Sequence, residues 1–203
     1  MSDTKPRRKT QAQRREASSR AVLESATRLF GEKGYADTSL EDIAADCGLT
    51  IRPIYHYFGN KKSLFAAVTE RMEARILDSM DGGDQSRPGA GIRENWRAYL
   101  ELCDDPAFRQ IVLLDSPNIL GKERWATSPV SQNARAMLTK ERDAKADFRA
   151  ALTSRVLMGA FAEAAVMVAE AEDLDAAKQE AEELMVELSG VLLKKRRSAL
   201  KGG

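Results

Sequence analysis

The chain has 203 residues, of which 43% are hydrophobic and 31% are charged, which is enough apolar material for one large domain or two small ones. It contains no run of roughly 18 apolar residues, the length that a membrane span requires, and its charged N-terminus does not resemble a secretory signal. We therefore expect a cytoplasmic protein that has no membrane partner.

The residue types that carry metal-binding or catalytic chemistry are few and scattered. The two cysteines, Cys47 and Cys103, lie far apart in the sequence, which predicts free thiols rather than a disulfide framework. With His56 as the single histidine, a serine or cysteine nucleophile has no obvious base, and no glycine-rich phosphate loop is present. The sequence therefore predicts no enzyme, no catalytic residue, no metal site and no cofactor.

The net charge of +1 conceals an uneven distribution of charge. From Met1 to Arg20 there are seven basic and two acidic residues, whereas the rest of the chain has 25 basic and 29 acidic residues. Residues 1–14 show no apolar periodicity, so we expect them to form a flexible basic arm. Such an arm is either a solvated tail or an attachment point for a polyanion.

The first two predicted helices follow from apolar spacing and from residues typical of helix ends. Apolar side chains recur every three to four residues from about Arg14 to Lys33, which predicts a helix that Gly34 ends. Thr38 followed by Glu41 forms a capping-box pattern, which predicts a short second helix that ends at Gly48.

Two further helices are expected directly after the second. Thr50 is the expected N-cap of a helix that covers about residues 51–58. Asn60 is the expected N-cap of a longer helix that covers about residues 61–80. Residues 81–91 contain four glycines and one proline, so we expect them to form a mobile connection between domains.

Beyond residue 91 the apolar spacing remains helical, and no segment shows the period of two that marks a half-buried strand. The chain is therefore expected to be all-α, with an interruption at Ser116–Asn118. The predicted helices of this part cover about residues 92–103, 106–115, 120–140, 148–171 and 175–196.

The segment from Leu40 to Phe58 has the order helix, tight turn, helix, which is the plan of a helix-turn-helix. The first turn of its second helix would enter the major groove of DNA, where Arg52 is suited to contact guanine unless it is an idle surface charge. The polar side chains that follow are placed to hold DNA phosphates, although His56 could equally be only exposed. The phosphate candidates are Tyr55, His56, Tyr57 and Lys61, and Thr38 or Ser39 at the preceding helix N-terminus could add a contact through backbone amides.

The run from Thr38 to Phe65 resembles the DNA-binding domain of the TetR family of transcription regulators. Pro53 departs from the family pattern, which usually has a small residue at that position. The resemblance implies that one set of side chains faces bases and another holds the DNA backbone. The matching elements are Thr38, Ile43-Ala44, Gly48-Leu49, Ile54-Tyr55, Tyr57-Phe58, Lys61 and Leu64. The implied base-facing residues are Thr50, Ile51, Arg52 and Pro53, and the implied backbone contacts are Tyr55, Tyr57 and Lys61.

The resemblance also implies a domain organisation. We expect the basic arm at residues 1–14, a three-helix helix-turn-helix DNA-binding domain at residues 15–65, and a helical ligand-binding and dimerisation domain at residues 66–203. Beside a DNA-binding domain, the arm is interpreted as an extension that reaches a minor groove or follows phosphates.

The last two predicted helices carry faces rich in small and apolar side chains, which allow helices to approach closely. Two such helices from each subunit would form the four-helix dimer interface that the TetR family uses, whereas the alternative is that they complete the core of a monomer. The candidate interface residues are Leu152, Val156, Ala160, Met167, Leu184, Leu188 and Val191.

Aromatic and apolar residues are spread over the middle of the chain. A pocket for an apolar or amphipathic small molecule has this composition, but a hydrophobic core of the same residues looks identical in sequence. Tryptophan and tyrosine are the preferred candidates because their polar tips need a partner when buried. The candidate ligand-binding residues are Trp96, Tyr99, Cys103, Phe108, Trp125 and Phe161.

These features predict a ligand-responsive, sequence-specific transcription regulator. In the favoured interpretation it is a homodimeric repressor that a small apolar or amphipathic molecule releases from a palindromic operator in double-stranded DNA. The alternative is a helical protein-interaction module without specific DNA binding, which would leave the basic arm and the set of Arg52, Tyr55 and Lys61 unexplained.

Overall fold

The structure, a computed structural model, describes residues 10–80, 91–121, 124, 128–133 and 148–193. All regular secondary structure in these ranges is helical, which confirms the all-α prediction. The arm up to residue 9, the connection at residues 81–90 and the pocket candidate Trp125 lie outside the described residues.

The helices fall into an N-terminal set, which we call the head (α1 to α4), and a C-terminal set, which we call the body (α5 to α9). A 3-10 turn at Leu102–Asp104 and a π-helical segment at Arg109–Asp115 also belong to the body. In chain order the helices are α1 (Gln11–Lys33), α2 (Leu40–Asp46), α3 (Ile51–Phe58), α4 (Lys61–Met80), α5 (Ile92–Glu101), α6 (Pro106–Phe108), α7 (Ser116–Ile119), α8 (Phe148–Glu170) and α9 (Leu174–Leu193).

Helix α1 begins three residues earlier than expected. The Thr10 hydroxyl accepts a hydrogen bond from the Gln13 N–H at 3.2 Å, and the Gln13 side chain accepts one from the Thr10 N–H at 2.9 Å. This capping box places residues 11–14 in the helix rather than in a flexible arm. Because residues 11–17 are exposed, no apolar periodicity marks the first turns of the helix.

The cap of α2 is Ser39, one residue beyond the expected Thr38. The Ser39 hydroxyl accepts from the Asp42 N–H at 3.0 Å, and the Asp42 carboxylate accepts from the Ser39 N–H at 3.0 Å. Hydrogen bonds from Ser39 lower the pKa of the Asp42 carboxyl. The Thr38 hydroxyl is instead buried and donates to the Gly34 carbonyl at 2.8 Å, so the prediction of a Thr38 cap is wrong.

Helices α3 and α4 have the expected bounds. Thr50 is the N-cap of α3, but its side chain makes no capping hydrogen bond. Gly59, with φ +79°, ends α3 in a backbone conformation that favours glycine. The Asn60 side chain then accepts from the Ser63 N–H at 2.8 Å, which confirms Asn60 as the cap of α4.

The core of the head is aromatic. The Phe30 and Phe65 rings meet edge to face with centroids 5.2 Å apart, and Tyr35 packs on Phe65 at 5.0 Å. Ile54 of α3 is fully buried in the same core. Helix α3 is therefore held by its inner side, which leaves its other side free.

The chain from Pro106 to Ile119 runs as one helical segment with π-helical turns in its middle. The Ser116 N–H donates to the Ile111 carbonyl, one residue farther back than in an α-helix. The predicted interruption at Ser116–Asn118 is therefore wrong. Pro117 directly follows the π-helical turns and has no N–H to donate to the preceding turn.

The helix expected from residue 120 does not begin there. Gly121 takes φ +95°, which ends the preceding segment, and residues 129–133 are helical. Between them, Arg124 donates to both carboxylate oxygens of Glu73 at 2.6 and 3.1 Å. Since Glu73 is only 3% exposed, this buried ion pair ties the segment to α4.

Helix α9 is fixed to α5 by polar contacts around one tryptophan. The Glu182 carboxylate accepts from Arg93 at 2.7 Å and from Arg97 at 2.6 Å. Trp96 lies between these arginines in the sequence and donates its Nε1–H to the Ala181 carbonyl at 3.3 Å. In the described parts of the chain, no helix is both long and apolar enough to cross a membrane.

The head and the body meet where α1 passes α6. A Cβ atom built on Gly31 would lie 2.4 Å from the Cβ of Ala107, closer than real contacts allow. Gly31 thus permits the backbones of these two helices to approach directly.

Candidate nucleic-acid interface and ligand cavity

Helix α3 presents the predicted DNA-binding side chains on its outer side. Arg52 and His56 are exposed, and Tyr55 is 51% exposed although it is a large aromatic residue. Thr50 is exposed, and its hydroxyl is not used in capping. Ile51 and Pro53, the other predicted base contacts, are half-buried. At the first turn of α3, Thr50 and Arg52 are therefore more exposed to solvent than their apolar neighbours.

Ser39, Tyr55 and Lys61 line one shallow depression of about 420 Å³ beside the N-terminus of α2. The structure thus brings together three predicted phosphate contacts that are up to 22 residues apart in the sequence. The Lys61 ammonium lies 4.3 Å from the centre of the Tyr35 ring and donates to the Ala36 carbonyl at 3.3 Å. An ammonium has three donors, so these contacts orient Lys61 and leave donors for an anion.

Thr38 is the predicted DNA contact whose hydroxyl the structure turns away from the surface. Its side chain is 1% exposed, and the hydroxyl donates to carbonyls of Leu29 and Gly34. Thr38 therefore positions the turn before α2, and its side chain is not available to a phosphate.

Arg15 lies beside α3, although no motif in the sequence marks it as a DNA contact. Its guanidinium lies 5.8 Å from the centre of the Tyr57 ring, and the Tyr57 ring lies 5.5 Å from that of His56. This row extends the positive surface of α3 onto α1. Arg15 is part of the basic run near the N-terminus, but its place in a helix beside α3 depends on the early start of α1.

The body contains a cavity of about 710 Å³ between the π-helical segment, α7 and α8. Tyr99 is the one predicted pocket residue, among those described, that lines it. Its side chain is 5% exposed, and burial raises the pKa of the Tyr99 phenol. The remaining lining residues are Val112, Leu113, Leu114, Asp115, Ser116, Pro117, Asn118, Gly121, Ala162, Glu163, Val166 and Glu170.

The other described pocket candidates pack in the core and do not line this cavity. The ring centroids of Trp96 and Phe161 are 4.9 Å apart, and the Tyr99 and Phe108 rings meet edge to face with centroids 6.0 Å apart. Cys103 is fully buried, and this burial raises the pKa of its thiol to about 11. Both Cys47 and Cys103 are free thiols, as expected.

Asp115 belongs both to the cavity and to the contact with the head. It lines the cavity, and its carboxylate accepts a hydrogen bond from the backbone N–H of Tyr35 at 2.8 Å. Tyr35 lies in the turn between α1 and α2, beneath the Lys61 ammonium. A single residue, Asp115, therefore connects the cavity to the turn before α2.

Helices α8 and α9 expose large apolar side chains. Ala160 and Leu188, two predicted interface residues, are half-buried against the core. The other five predicted interface residues are exposed, and Phe148, which was not predicted, joins them at 82%. The five are Leu152, Val156, Met167, Leu184 and Val191.

The fold and the exposed second helix of its helix-turn-helix define a transcription regulator of the helix-turn-helix class. The sequence family described as bacterial regulatory proteins, tetR family, matches residues 22–68, and the tetracyclin repressor-like C-terminal domain matches residues 90–192. The chain belongs to the TetR family.

Solved structures share this architecture. A TetR-family transcriptional regulator from Pectobacterium atrosepticum is 32% identical, and the match covers 93% of this chain and 100% of that one with a TM-score of 0.66. A TetR-family regulator from Streptomyces coelicolor, 20% identical, has the same fold with a TM-score of 0.67 over 87% of this chain and 82% of that one.

Curated relatives match over shorter stretches. The transcriptional repressor AcnR of Corynebacterium efficiens is 28% identical over 98 residues, which are 43% of this chain and 52% of that protein. The uncharacterised regulator YuxN of Bacillus subtilis is 33% identical over 70 residues, which are 32% of this chain and 24% of that protein. The matches to these two relatives thus span between a quarter and about half of their length.

Proposed function

We propose that the chain is a ligand-responsive, sequence-specific repressor that acts in the cytoplasm as a homodimer. In this proposal it binds a palindromic operator in double-stranded DNA and leaves it when a small molecule occupies the cavity of the body. The observation that carries the proposal is the hydrogen bond from Tyr35 to Asp115, because it joins a cavity residue directly to the helix-turn-helix.

The DNA side of the proposal rests on the exposed side of α3. Arg52 and Thr50 face base edges in the major groove, and Ser39, Tyr55 and Lys61 hold phosphates around their shared depression. Ile51 and Pro53 contribute apolar contacts to the same turn, and Tyr57 and His56 continue the phosphate contacts toward α1. The Thr38 side chain takes no part.

The dimer rests on the exposed apolar side chains of α8 and α9. Because a single recognition helix binds weakly, two heads that read two half-sites supply the affinity, and the two-fold symmetry of the protein requires a palindrome. We therefore assign residues 148–193 and the cavity to a ligand-binding and dimerisation domain, and the head to DNA binding.

Release by a ligand follows from linkage between the two sites. A ligand that favours a position of Asp115 different from that in the DNA-bound state must weaken DNA binding, and DNA must weaken the binding of the ligand equally. A nearly complete switch requires about a 10⁴-fold difference in affinity between the two states.

The test is a fluorescence-anisotropy titration of the protein against the intergenic DNA beside its own gene, with a scrambled duplex for comparison. We expect two subunits per site and selective binding that the double variant Tyr55→Ala, Lys61→Ala abolishes. Arg52→Ala should relax base preference at one position of each half-site, at a cost of about 1–3 kcal/mol. Arg97→Ala removes the same charge from the body and should leave DNA binding unchanged.

The arm is tested in the same assay through its salt dependence. Deleting residues 1–9 removes Lys5, Arg7, Arg8 and Lys9 but keeps the Thr10 cap of α1. Binding to all duplexes should weaken alike, with a flatter dependence on salt concentration. Equal, weak binding of the intact protein to both duplexes would contradict the repressor, and an unchanged salt slope would contradict the role of the arm.

A further inference from the structure

We propose that the cavity of the body binds an organic cation, a molecule with a protonated amine and an apolar part, whose charge pairs with Asp115 and Glu163. The inference rests on the proposed function only in that the cavity is a ligand site. It goes further by naming the chemical class of the ligand.

The charged residues that line the cavity are all acidic. They are Asp115, Glu163 and Glu170, and no lysine or arginine is among the lining residues. In the described part of the chain none of these three carboxylates forms an ion pair with a basic side chain. Since carboxylates grouped around an apolar wall repel an anion and attract a cation, the cavity selects for positive charge.

Two hydroxyls that line the cavity, those of Tyr99 and Ser116, lack a hydrogen-bond partner among the described residues. Tyr99 is 5% exposed and Ser116 is 7% exposed, and neither hydroxyl makes a hydrogen bond to any described residue. A buried polar group without a partner is costly, so such groups in a native protein call for an explanation. An N–H donor on a bound amine would supply the missing hydrogen bond to these hydroxyl oxygens.

The remaining wall is apolar and fits the other end of an amphipathic molecule. Val112, Leu113 and Leu114 lie on one side, and Ala162 and Val166 lie on α8 opposite. The volume of about 710 Å³ is within the range of about 300–1,000 Å³ that is typical of small-molecule sites.

Asp115 gives this cation a direct route to the head. Its carboxylate already accepts the Tyr35 N–H at 2.8 Å, so a cation that approaches Asp115 competes with, or redirects, the contact that positions the turn before α2. Glu163, by comparison, is an exposed residue of α8 that makes no hydrogen bond or ion pair with a described residue of the head. Both carboxylates are therefore expected to contribute to the affinity for the cation, but only Asp115 is placed to pass the effect of binding on to the head.

The test uses three probes with the same ten-carbon chain and different head groups: decylammonium, decanol and decanoate. Each is titrated by calorimetry into the full chain without DNA, below its micellar concentration. We expect decylammonium to bind at least about tenfold more tightly than the other two, because a hydrogen bond to a charged group is stronger than a neutral one. Equal binding of decanol, tighter binding of decanoate, or no binding of decylammonium would overturn the inference.

Variants then locate the charge. Glu163→Gln and Asp115→Asn should each lower the affinity for decylammonium by about tenfold and leave that for decanol unchanged. The Asp115→Asn variant retains an oxygen that can accept the Tyr35 N–H, so it is expected to fold. Glu180→Gln removes an equally exposed carboxylate from α9, away from the cavity, and serves as the matched control. Equal effects of all three variants would overturn the inference.

Tyr99→Phe distinguishes a binding role from a structural one. Removing a buried hydroxyl that has no partner should raise the thermal stability of the free protein, while the affinity for decylammonium falls by about fivefold. A loss of stability together with unchanged affinity would contradict the role of Tyr99. Decylammonium that binds as expected but does not release DNA would uphold the cation site and refute the proposed regulation.

Discussion

The head and the body differ in whether their buried hydroxyls have hydrogen-bond partners and their large apolar side chains are buried within one chain. In the head, the buried Ser25 hydroxyl donates to Asp46 at 2.6 Å, and the buried Thr38 hydroxyl donates to two carbonyls. In the body, the buried hydroxyls of Tyr99 and Ser116 have no partner among the described residues, and large apolar side chains of α8 and α9 are exposed. The buried hydroxyls of the head thus find partners within it, whereas the body presents groups that a ligand and a second copy would satisfy.

The largest expected effect concerns the apolar surface of the body. The double variant Val156→Glu, Leu184→Glu places a carboxylate on each of α8 and α9, and burying these charges in an interface is strongly unfavourable. We expect the dimer dissociation constant to rise at least about a hundredfold, as measured by sedimentation equilibrium. Glu180→Lys should remain dimeric. A double variant that sediments like the wild type would contradict the proposed interface.

The second effect concerns the buried ion pair of Glu73 and Arg124. Arg124→Met leaves the Glu73 carboxylate buried without its bidentate partner, which should lower the free energy of unfolding by about 3 kcal/mol. Chemical denaturation measures this loss. Combining it with Glu73→Leu should restore most of the stability, because both charges are then absent. A double variant that is no more stable than Arg124→Met would show that the pair is not the cause.

The third effect concerns the contact between the head and the body. Gly31→Ala forces a methyl group against Ala107 and should cost about 2 kcal/mol through overpacking. Thermal or chemical unfolding detects the loss. Glu24→Ala adds an alanine to an exposed position of the same helix and should change stability by less than about 0.5 kcal/mol. A Gly31→Ala variant as stable as its control would mean that α1 and α6 can separate without cost.

The smallest effect tests the local order of the head. Ser39→Ala removes the cap of α2 and should cost about 1 kcal/mol at pH 7 in chemical denaturation. The Asp42 carboxyl, whose pKa Ser39 lowers, favours the folded state above its ordinary pKa of 3.8, and this contribution is lost as the pH falls through the lowered value. The difference between Ser39→Ala and wild type should therefore shrink in acid. A constant difference from pH 7 to pH 2 would contradict the capping box, and Ser63→Ala, at an exposed position of α4, is the control.

The sequence predicted the head better than the body for a physical reason. Helix ends in the head are marked by local signals, such as Gly34, Gly59 and Asn60, that act within a few residues. The one-residue error at the cap of α2 arose because Thr38 donates to carbonyls of α1, a tertiary contact that a local pattern does not contain. The position of Arg15 beside Tyr57 is likewise a tertiary contact that a local pattern does not contain.

In the body, the decisive features depend on packing. Trp96 and Phe161 have the composition of a pocket but pack as core, since aromatic residues suit both environments equally. The sequence predicts a helix end at Asp115 and an interruption from Ser116, whereas both residues lie in a continuous helical segment and line the cavity. Their placement depends on the π-helical segment, for which the sequence carries no local signal.

The length of the π-helical segment sets the position of Asp115 relative to Tyr35. A π turn accommodates one residue more than an α-helix does, so it is equivalent to a single-residue insertion within a helix. Removing one residue from Arg109–Asp115 would restore α-helical geometry and rotate the residues on one side of it by about 100° relative to those on the other. Asp115 would then turn away from Tyr35, and the buried side chains of the segment would change their packing. The hydrogen bond between Asp115 and Tyr35 therefore depends on the length of this segment, and a relative one residue shorter here would need another contact at this position.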